Sequence, residues 1–96
     1  MKQSNEQSLR EVVQSWMREN GVDAKLLESR IIIHWEEWMG PTINKYTEKV
    51  WVNKNQLYVK VSSAALRQEL LFSREQIKKN VNEKLETAFI KNVIIF

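Results

Sequence analysis

The residues best suited to chemistry in this chain are aromatic and basic side chains that fall between Thr47 and Lys78. Aromatic rings can stack on nucleic-acid bases, and Lys and Arg side chains neutralise phosphates. The combination of the two types in one stretch therefore predicts nucleic-acid binding. The candidate binding residues are Lys49, Trp51, Tyr58, Lys60, Arg67, Arg74 and Lys78.

The basic residues are unevenly distributed along the chain. Residues 41–80 contain eight Lys/Arg and three Asp/Glu, a local net charge of +5, whereas residues 1–40 have a net charge of −2. The whole chain of 96 residues carries only +3. Clustered positive charge raises the local concentration of anions and favours encounter with phosphates. A solvated basic surface without a ligand is the alternative, because surface charge often serves solubility alone.

Two segments of alternating residues predict a β-hairpin with strands at Glu48–Val52 and Leu57–Val61. Asn53–Gln56 between them suit a turn, because Asn tolerates positive φ. Strand side chains alternate between faces, so pairing Val52 with Leu57 places every aliphatic residue of the hairpin on one face. That face is expected to pack on the core, and it consists of Val50, Val52, Leu57, Val59 and Val61.

The same register places the four candidate binding residues of the hairpin on the opposite face. Trp51 then faces Tyr58, and Lys49 and Lys60 flank the pair. On such a surface the rings could stack on bases while the lysines hold phosphates. The other interpretation is that the first helix, or a second copy of the protein, covers this face.

Helical periodicity accounts for the chain before the hairpin, apart from residues 1–6, which are expected to be a flexible N-terminus. A first helix is predicted at Gln7–Asn20 and a second one after it. Gly40–Pro41 interrupts the second helix, because the residue before proline is driven away from helical conformations. A short helical piece is expected at Thr42–Tyr46. The apolar face of the second helix consists of Leu27, Ile31, Trp35 and Trp38, with Ile32 and Met39 alongside.

A helix capped by Ser62 or Ser63 is predicted after the hairpin. Arg67, Arg74 and Lys78 are spaced by seven and four residues, which places them on one helical face. An ordinary solvated face is the alternative interpretation of these cations.

The remaining elements complete a single domain over residues 7–96. Ser73–Gln76 has the pattern of a second capping box, near which the helix is expected to break or kink. Ile77, Val81 and Leu85 continue the apolar stripe, and the segment Phe89–Phe96, rich in Ile, Val and Phe, is predicted to be a last strand. The order ααββαβ predicts an α+β fold with helices packed on one face of a small three-stranded sheet.

The sequence lacks a catalytic or metal-binding constellation. His34 is the single histidine, there is no cysteine, and the two glycines form no phosphate-binding loop. We therefore expect a protein that is not an enzyme and that uses no cofactor or metal. The lack of cysteine fits a reducing cytoplasm, and no apolar run approaches the roughly 20 residues of a membrane helix. These features predict a cytoplasmic protein with no membrane partner and no small-molecule substrate.

Two motifs resemble the signatures of the DciA family, which was formerly an uncharacterised bacterial domain family. The segment W-E-E-W-M-G-P-T-I-N-K-Y-T (Trp35–Thr47) is similar to its W…G…T signature. The segment L-Y-V-K-V-S-S-A-A-L-R-Q-E-L (Leu57–Leu70) is similar to its second signature, a strand, a serine pair and a helix. I-K-K-N-V-N-E-K-L followed by V-I-I-F resembles its closing helix and strand. The resemblance covers about residues 24–96.

The resemblance implies a fold like that of a KH domain without its G-x-x-G loop. It also implies a bacterial protein that binds DNA, single- or double-stranded, and that loads or assists the replicative helicase in DNA replication. The alternative is a protein–protein interaction module without nucleic-acid binding, whose exposed aromatic residues dock a partner or a second copy.

Overall fold

Helices and strands follow one another in the order that the sequence patterns predict. The computed structural model describes residues 11, 12, 15 and 23–96. Glu11, Val12 and Ser15 are helical, in agreement with the helix predicted at Gln7–Asn20. The rest of that helix, including Trp16, and the N-terminus predicted to be flexible lie outside the described residues.

The helices α1 (Asp23–Ile33), α2 (Trp35–Met39) and α3 (Pro41–Tyr46) precede a hairpin of β1 (Thr47–Asn53) and β2 (Gln56–Val61). The helices α4 (Ala64–Phe72) and α5 (Arg74–Leu85) follow, and β3 (Asn92–Ile95) is the last element. This α+β arrangement confirms the predicted fold class.

The three strands form one mixed sheet in the order β1-β2-β3. β1 runs antiparallel to β2, with Val52 opposite Leu57 and Trp51 opposite Tyr58, so the predicted register is confirmed. β3 runs parallel to β2, because the chain crosses over through α4 and α5 before it returns to the sheet. The central strand is therefore β2, and its two neighbours come from distant parts of the sequence.

The hairpin turn consists of two residues with positive φ, Lys54 at 51° and Asn55 at 65°. Positive φ at both central positions is characteristic of a type I′ turn, whose twist matches that of the flanking strands. The Asn55 side chain donates a hydrogen bond to the Phe89 carbonyl (2.9 Å), and the Lys91 N–H donates to the Asn55 carbonyl (2.8 Å). These bonds hold the segment before β3 against the turn. The strand predicted from Phe89 onward accordingly begins only at Asn92.

One hydrophobic core fills the space between the sheet and the helices. The valines predicted to face inward do so: Val59 and Val61 are fully buried and Val50 and Val52 partly so. Trp35 is 3 % exposed, and its indole N–H donates to the Thr47 hydroxyl (3.1 Å). The core consists of Leu27, Ile31, Trp35, Leu57, Val59, Val61, Leu70, Ile77, Val81, Leu85, Ile90, Val93 and Ile95.

The second predicted helix is interrupted at His34, whose φ and ψ are −100° and 13°. Helical hydrogen bonds nevertheless continue across this residue, since the His34 N–H donates to the Arg30 carbonyl (3.0 Å) and the Trp38 N–H to the His34 carbonyl (2.9 Å). Trp35 lies in the core as predicted, while Trp38 is half-buried and packs at its margin. Ile32, predicted to lie alongside the apolar face, is instead 47 % exposed. The short helix predicted at Thr42–Tyr46 begins one residue earlier, at Pro41.

Ser63 is the residue that caps α4, since its hydroxyl accepts a hydrogen bond from the Leu66 N–H (3.2 Å). The break predicted near Phe72 is found at Ser73. The side-chain capping predicted for Ser73 was wrong, because its hydroxyl makes no capping bond. The Ser73 N–H instead donates to the carbonyls that end α4, those of Glu69 and Leu70 (both 3.1 Å).

Candidate nucleic-acid interface

The sheet face that points away from the core carries the candidate residues of the hairpin as two neighbouring cross-strand pairs. Lys49 lies opposite Lys60, and Trp51 lies opposite Tyr58. The two rings are stacked, with centroids 5.1 Å apart and planes 4° apart. All four side chains are at least partly accessible to solvent. The structure therefore brings together these four sequence-predicted residues, and we call this surface the open sheet face.

The two lysines of the open sheet face are held only weakly. The Lys49 ammonium lies 4.9 Å from the centroid of the Trp51 ring, an arrangement typical of a cation–π contact. The Lys60 ammonium lies 3.7 Å from a Glu48 carboxylate oxygen, and both side chains are about half exposed. Exposed ion pairs of this kind contribute about 0–1 kcal/mol. Both lysines can therefore exchange these weak contacts for an anion that binds them more strongly.

Neighbouring side chains fix the orientation of the aromatic pair. The Tyr58 hydroxyl donates to the Gln56 side-chain carbonyl (3.0 Å), which directs the ring along β2. The Phe96 ring meets the Trp51 ring edge-on, with centroids 5.8 Å apart and planes 87° apart. Phe96 is 42 % exposed, so it extends the aromatic surface.

Ile94 also belongs to the open sheet face, because it pairs with Tyr58 in the parallel register. Sequence reasoning did not include Ile94 or Phe96 in the candidate site. The alternation in V-I-I-F was a usable signal, since Val93 and Ile95 are buried and the residues between and after them must point the other way. Ile94 and Phe96 were missed because the sequence does not show that β3 lies beside β2.

The sequence spacing predicted that Arg67, Arg74 and Lys78 share one continuous helical face, and this prediction was wrong. The chain breaks at Ser73, so Arg67 lies on α4 and Arg74 and Lys78 on α5. Arg74 is exposed and donates from Nε to the Leu71 carbonyl (3.2 Å). Lys78 lies 3.3 Å from the Glu75 carboxylate. Arg74 and Lys78 remain available to anions because their partners are surface groups.

Arg67 differs from the other two because it is part of the fold. Its Nη2 donates to the Val61 carbonyl at the end of β2 (3.2 Å), and its Nε is buried without a hydrogen-bond partner among the residues that the structure describes. The guanidinium thereby joins α4 to the end of the central strand. A phosphate contact from Arg67 would have to use the guanidinium hydrogens that do not face Val61.

His34, the single histidine, has a partner on each side: its Nδ1 is 3.0 Å from Glu37 Oε1, and its ring stacks on Trp38 with centroids 5.4 Å apart. Within residues 11, 12, 15 and 23–96, no group of three or more His, Cys, Asp or Glu residues could hold a metal ion. None of the helices in this part of the chain is long and apolar enough to cross a membrane.

Comparison with known proteins gives one result. The chain matches the family model described as "Dna[CI] antecedent, DciA" over residues 8–95. No curated protein and no solved structure matches it significantly. The match spans nearly the whole chain and contains every candidate residue of the open sheet face except Phe96.

Proposed function

This chain belongs to the DciA family, and on that premise we propose that it is a non-enzymatic nucleic-acid-binding domain of bacterial DNA replication. The family is linked to loading of the replicative helicase DnaB. The observation that carries nucleic-acid binding is the alignment of a lysine pair beside an aromatic pair on the open sheet face. The lysine pair can neutralise phosphates, and the aromatic pair can stack on bases.

Single-stranded DNA suits this surface better than a duplex. A flat sheet with stacked rings can contact bases only when they are unpaired and splayed out. One face of Trp51 is already covered by Tyr58, and the Lys49 ammonium lies over the same indole. Binding would transfer that ammonium from the ring to a phosphate and leave the indole for a base. The flexible four-carbon stem of lysine allows this movement without any change in the backbone.

The helical cations extend the same proposal beyond the sheet. We interpret the fold as KH-like, with α4 and α5 meeting at Ser73 where a KH domain has its G-x-x-G loop. That loop clamps the nucleic-acid backbone through main-chain groups, and this chain has no glycine there. The clamp is replaced, in our proposal, by the side chains of Arg74 and Lys78 together with the lysines of the open sheet face.

The test is a fluorescence-anisotropy titration of labelled single- and double-stranded DNA at low salt. The variant Lys49→Gln with Lys60→Gln should bind single-stranded DNA at least tenfold more weakly than wild type, on the order expected for two lost charged contacts. Lys25→Gln with Lys79→Gln is the matched control, since both lysines are exposed, lie on helices and are equal in charge. If both double variants lower the DNA affinity equally, the loss is explained by net charge alone, and a defined site on the open sheet face is contradicted.

A direct contact with the replicative helicase is the second candidate function, and the family link favours it. In that case the exposed rings of the open sheet face would dock a protein surface, and binding would respond little to salt. Wild-type protein that binds neither form of DNA at low salt, but is retained by purified helicase, would establish this candidate over the first. Either function places the protein in the bacterial cytoplasm.

A further inference from the structure

The outer edge of β1 carries main-chain groups that the sheet does not use. In the two-residue hairpin the pair Asn53–Gln56 closes the ladder, so Trp51 and Lys49 also direct their main-chain groups toward β2. Val50 and Val52, which alternate with them, direct their N–H and C=O groups away from β2. Within residues 23–96 no other strand lies beside this edge.

The opposite edge of the sheet, the outer edge of β3, is less accessible to a further strand. The Phe96 N–H donates to the Val59 carbonyl, and the Phe96 carbonyl accepts from the Val61 N–H. Residues alternate along the strand, so Val93 and Ile95 direct their main-chain groups away from β2. These two residues are only 5 % and 7 % exposed. Val50 and Val52 are only half-buried, so β1 is the edge on which a further strand has access.

We propose that the outer edge of β1 pairs antiparallel with the same edge of a second copy of this chain, with Val50 opposite Val52 of the second copy. A two-fold axis then passes beside Trp51. This register is selected by hydrogen bonding, because it joins both outward-facing residues of one strand to both of the other through four main-chain bonds. A shift by two residues in either direction would bring the bulged residue Glu48 or the turn residue Lys54 into a hydrogen-bonded position.

Charge complementarity supports a second copy as the occupant. In this register Glu48 comes opposite Lys54 of the second copy, once at each end of the paired segment. The Glu48 carboxylate also lies 3.7 Å from Lys60 of its own chain, and because both side chains are about half exposed it can interact with both lysines. Lys49 comes opposite Asn53 of the second copy, so no like charges face each other. Charged residues and bulges ordinarily keep edge strands apart. Here the charged residues that would discourage pairing with an unrelated strand are opposite in sign to the residues they face in a second copy. Lys54 is exposed and forms no ion pair within the described residues.

The paired copies would form a six-stranded sheet with one continuous open sheet face. Trp51 would lie opposite Trp51 of the second copy, between the two Tyr58 rings. Pairing of the two copies does not depend on nucleic-acid binding and is measured without it. A failure of the nucleic-acid proposal therefore leaves this one standing, and the reverse also holds.

Sedimentation equilibrium of the full chain over a range of concentrations tests the proposal. We expect a weak monomer–dimer equilibrium, as a short strand pair implies. Glu48→Lys or Lys54→Glu alone should weaken the dimer by about tenfold, because each converts two opposite-charge pairs into like-charge pairs. The double variant Glu48→Lys with Lys54→Glu should restore the wild-type affinity, because the pairs are reversed but still complementary. Lys79→Glu, with the same charge change on α5, should leave the dimer unchanged.

Circular dichroism of each variant checks that the fold is retained, and these exposed positions make that the expected result. A wild-type chain that remains monomeric at roughly 1 mM, where a Kd of that order would still give abundant dimer, would overturn the proposal. A dimer that is insensitive to both single variants, or that the double variant does not restore, would place the contact elsewhere and overturn it equally.

Discussion

Trp51 and Tyr58 lie directly opposite each other across the hairpin, with ring centroids 5.1 Å apart and ring planes 4° apart. Cross-strand aromatic pairs within this distance range stabilise a sheet by about 0.5–1.5 kcal/mol beyond the area that they bury. The same pair is the candidate stacking surface for bases. Structure and proposed function therefore depend on one contact, and the two contributions have to be measured separately.

Trp51→Ala should weaken binding of single-stranded DNA by about 1–3 kcal/mol, the amount that one base stack contributes. The slope of affinity against salt should not change, since no charge is lost. Trp51→Phe should retain most of the affinity because it keeps an aromatic face. Anisotropy titrations at several salt concentrations measure both quantities. An unchanged affinity for Trp51→Ala, with the fold verified by circular dichroism, would remove the stacking role.

Trp35→Ala should lower the free energy of unfolding by roughly 3–5 kcal/mol, as other large aromatic truncations in packed cores do. The side chain is 3 % exposed, and its indole N–H begins a hydrogen-bond chain through the Thr47 hydroxyl to the Ile43 carbonyl. Urea denaturation measures the loss. Trp38→Ala is the matched control, because Trp38 is the same residue type but half-buried, and its loss should be clearly smaller. Equal losses would contradict the difference in burial between Trp35 and Trp38.

Asn82→Ala should destabilise the fold by about 1–3 kcal/mol. The Asn82 side chain accepts from the Ile90 N–H (2.9 Å) and donates to the Ile90 carbonyl (3.0 Å). Ile90 is 2 % exposed, so both main-chain groups would lose their partner in a region with little water. Asn80→Ala serves as the control, since within residues 23–96 the Asn80 side chain bonds only to the exposed Gln76. A thermal melt of Asn82→Ala that matches the control would refute the proposed role of this clamp.

Arg67→Ala and Arg74→Ala should separate two kinds of basic residue. Arg67→Ala should cost about 0.5–1.5 kcal/mol of stability, because it removes the bond from α4 to the Val61 carbonyl. Arg74→Ala should change stability by less than about 0.5 kcal/mol, as surface substitutions do, while it weakens DNA binding. Urea denaturation and anisotropy on the same preparations distinguish the two. Equal stability of both variants would show that the Arg67 contact contributes nothing to the fold.

The hairpin and its register were predictable because they depend on local patterns. Alternation from Val50 to Val61 leaves one register in which every aliphatic residue faces the core, and a slip by one residue would expose half of them. The break at Ser73 was also marked locally, by a serine followed by polar residues. The buried face of α5, formed by Ile77, Val81 and Leu85, followed from helical spacing in the same way.

The features that the sequence did not reveal depend on contacts between distant residues. Ile94 and Phe96 reach the open sheet face only because β3 lies parallel to β2, and that placement follows from the path of α4 and α5. Arg67 has a surface-like spacing, yet its guanidinium is taken up by the Val61 carbonyl. Helical spacing alone also assumed that α4 and α5 were one helix, and it therefore aligned cations that the break separates.

The salt dependence of single-stranded DNA affinity tests the central claim most directly. In a plot of log affinity against log salt the slope is negative, and each phosphate contact that a variant loses should make it less steep by about 0.7. We predict that Lys49→Gln with Lys60→Gln flattens the slope by about 1.4, while Lys25→Gln with Lys79→Gln leaves it at the wild-type value. Identical slopes for the wild type and the Lys49/Lys60 variant, or no binding by wild-type protein at low salt, would contradict a nucleic-acid site on the open sheet face.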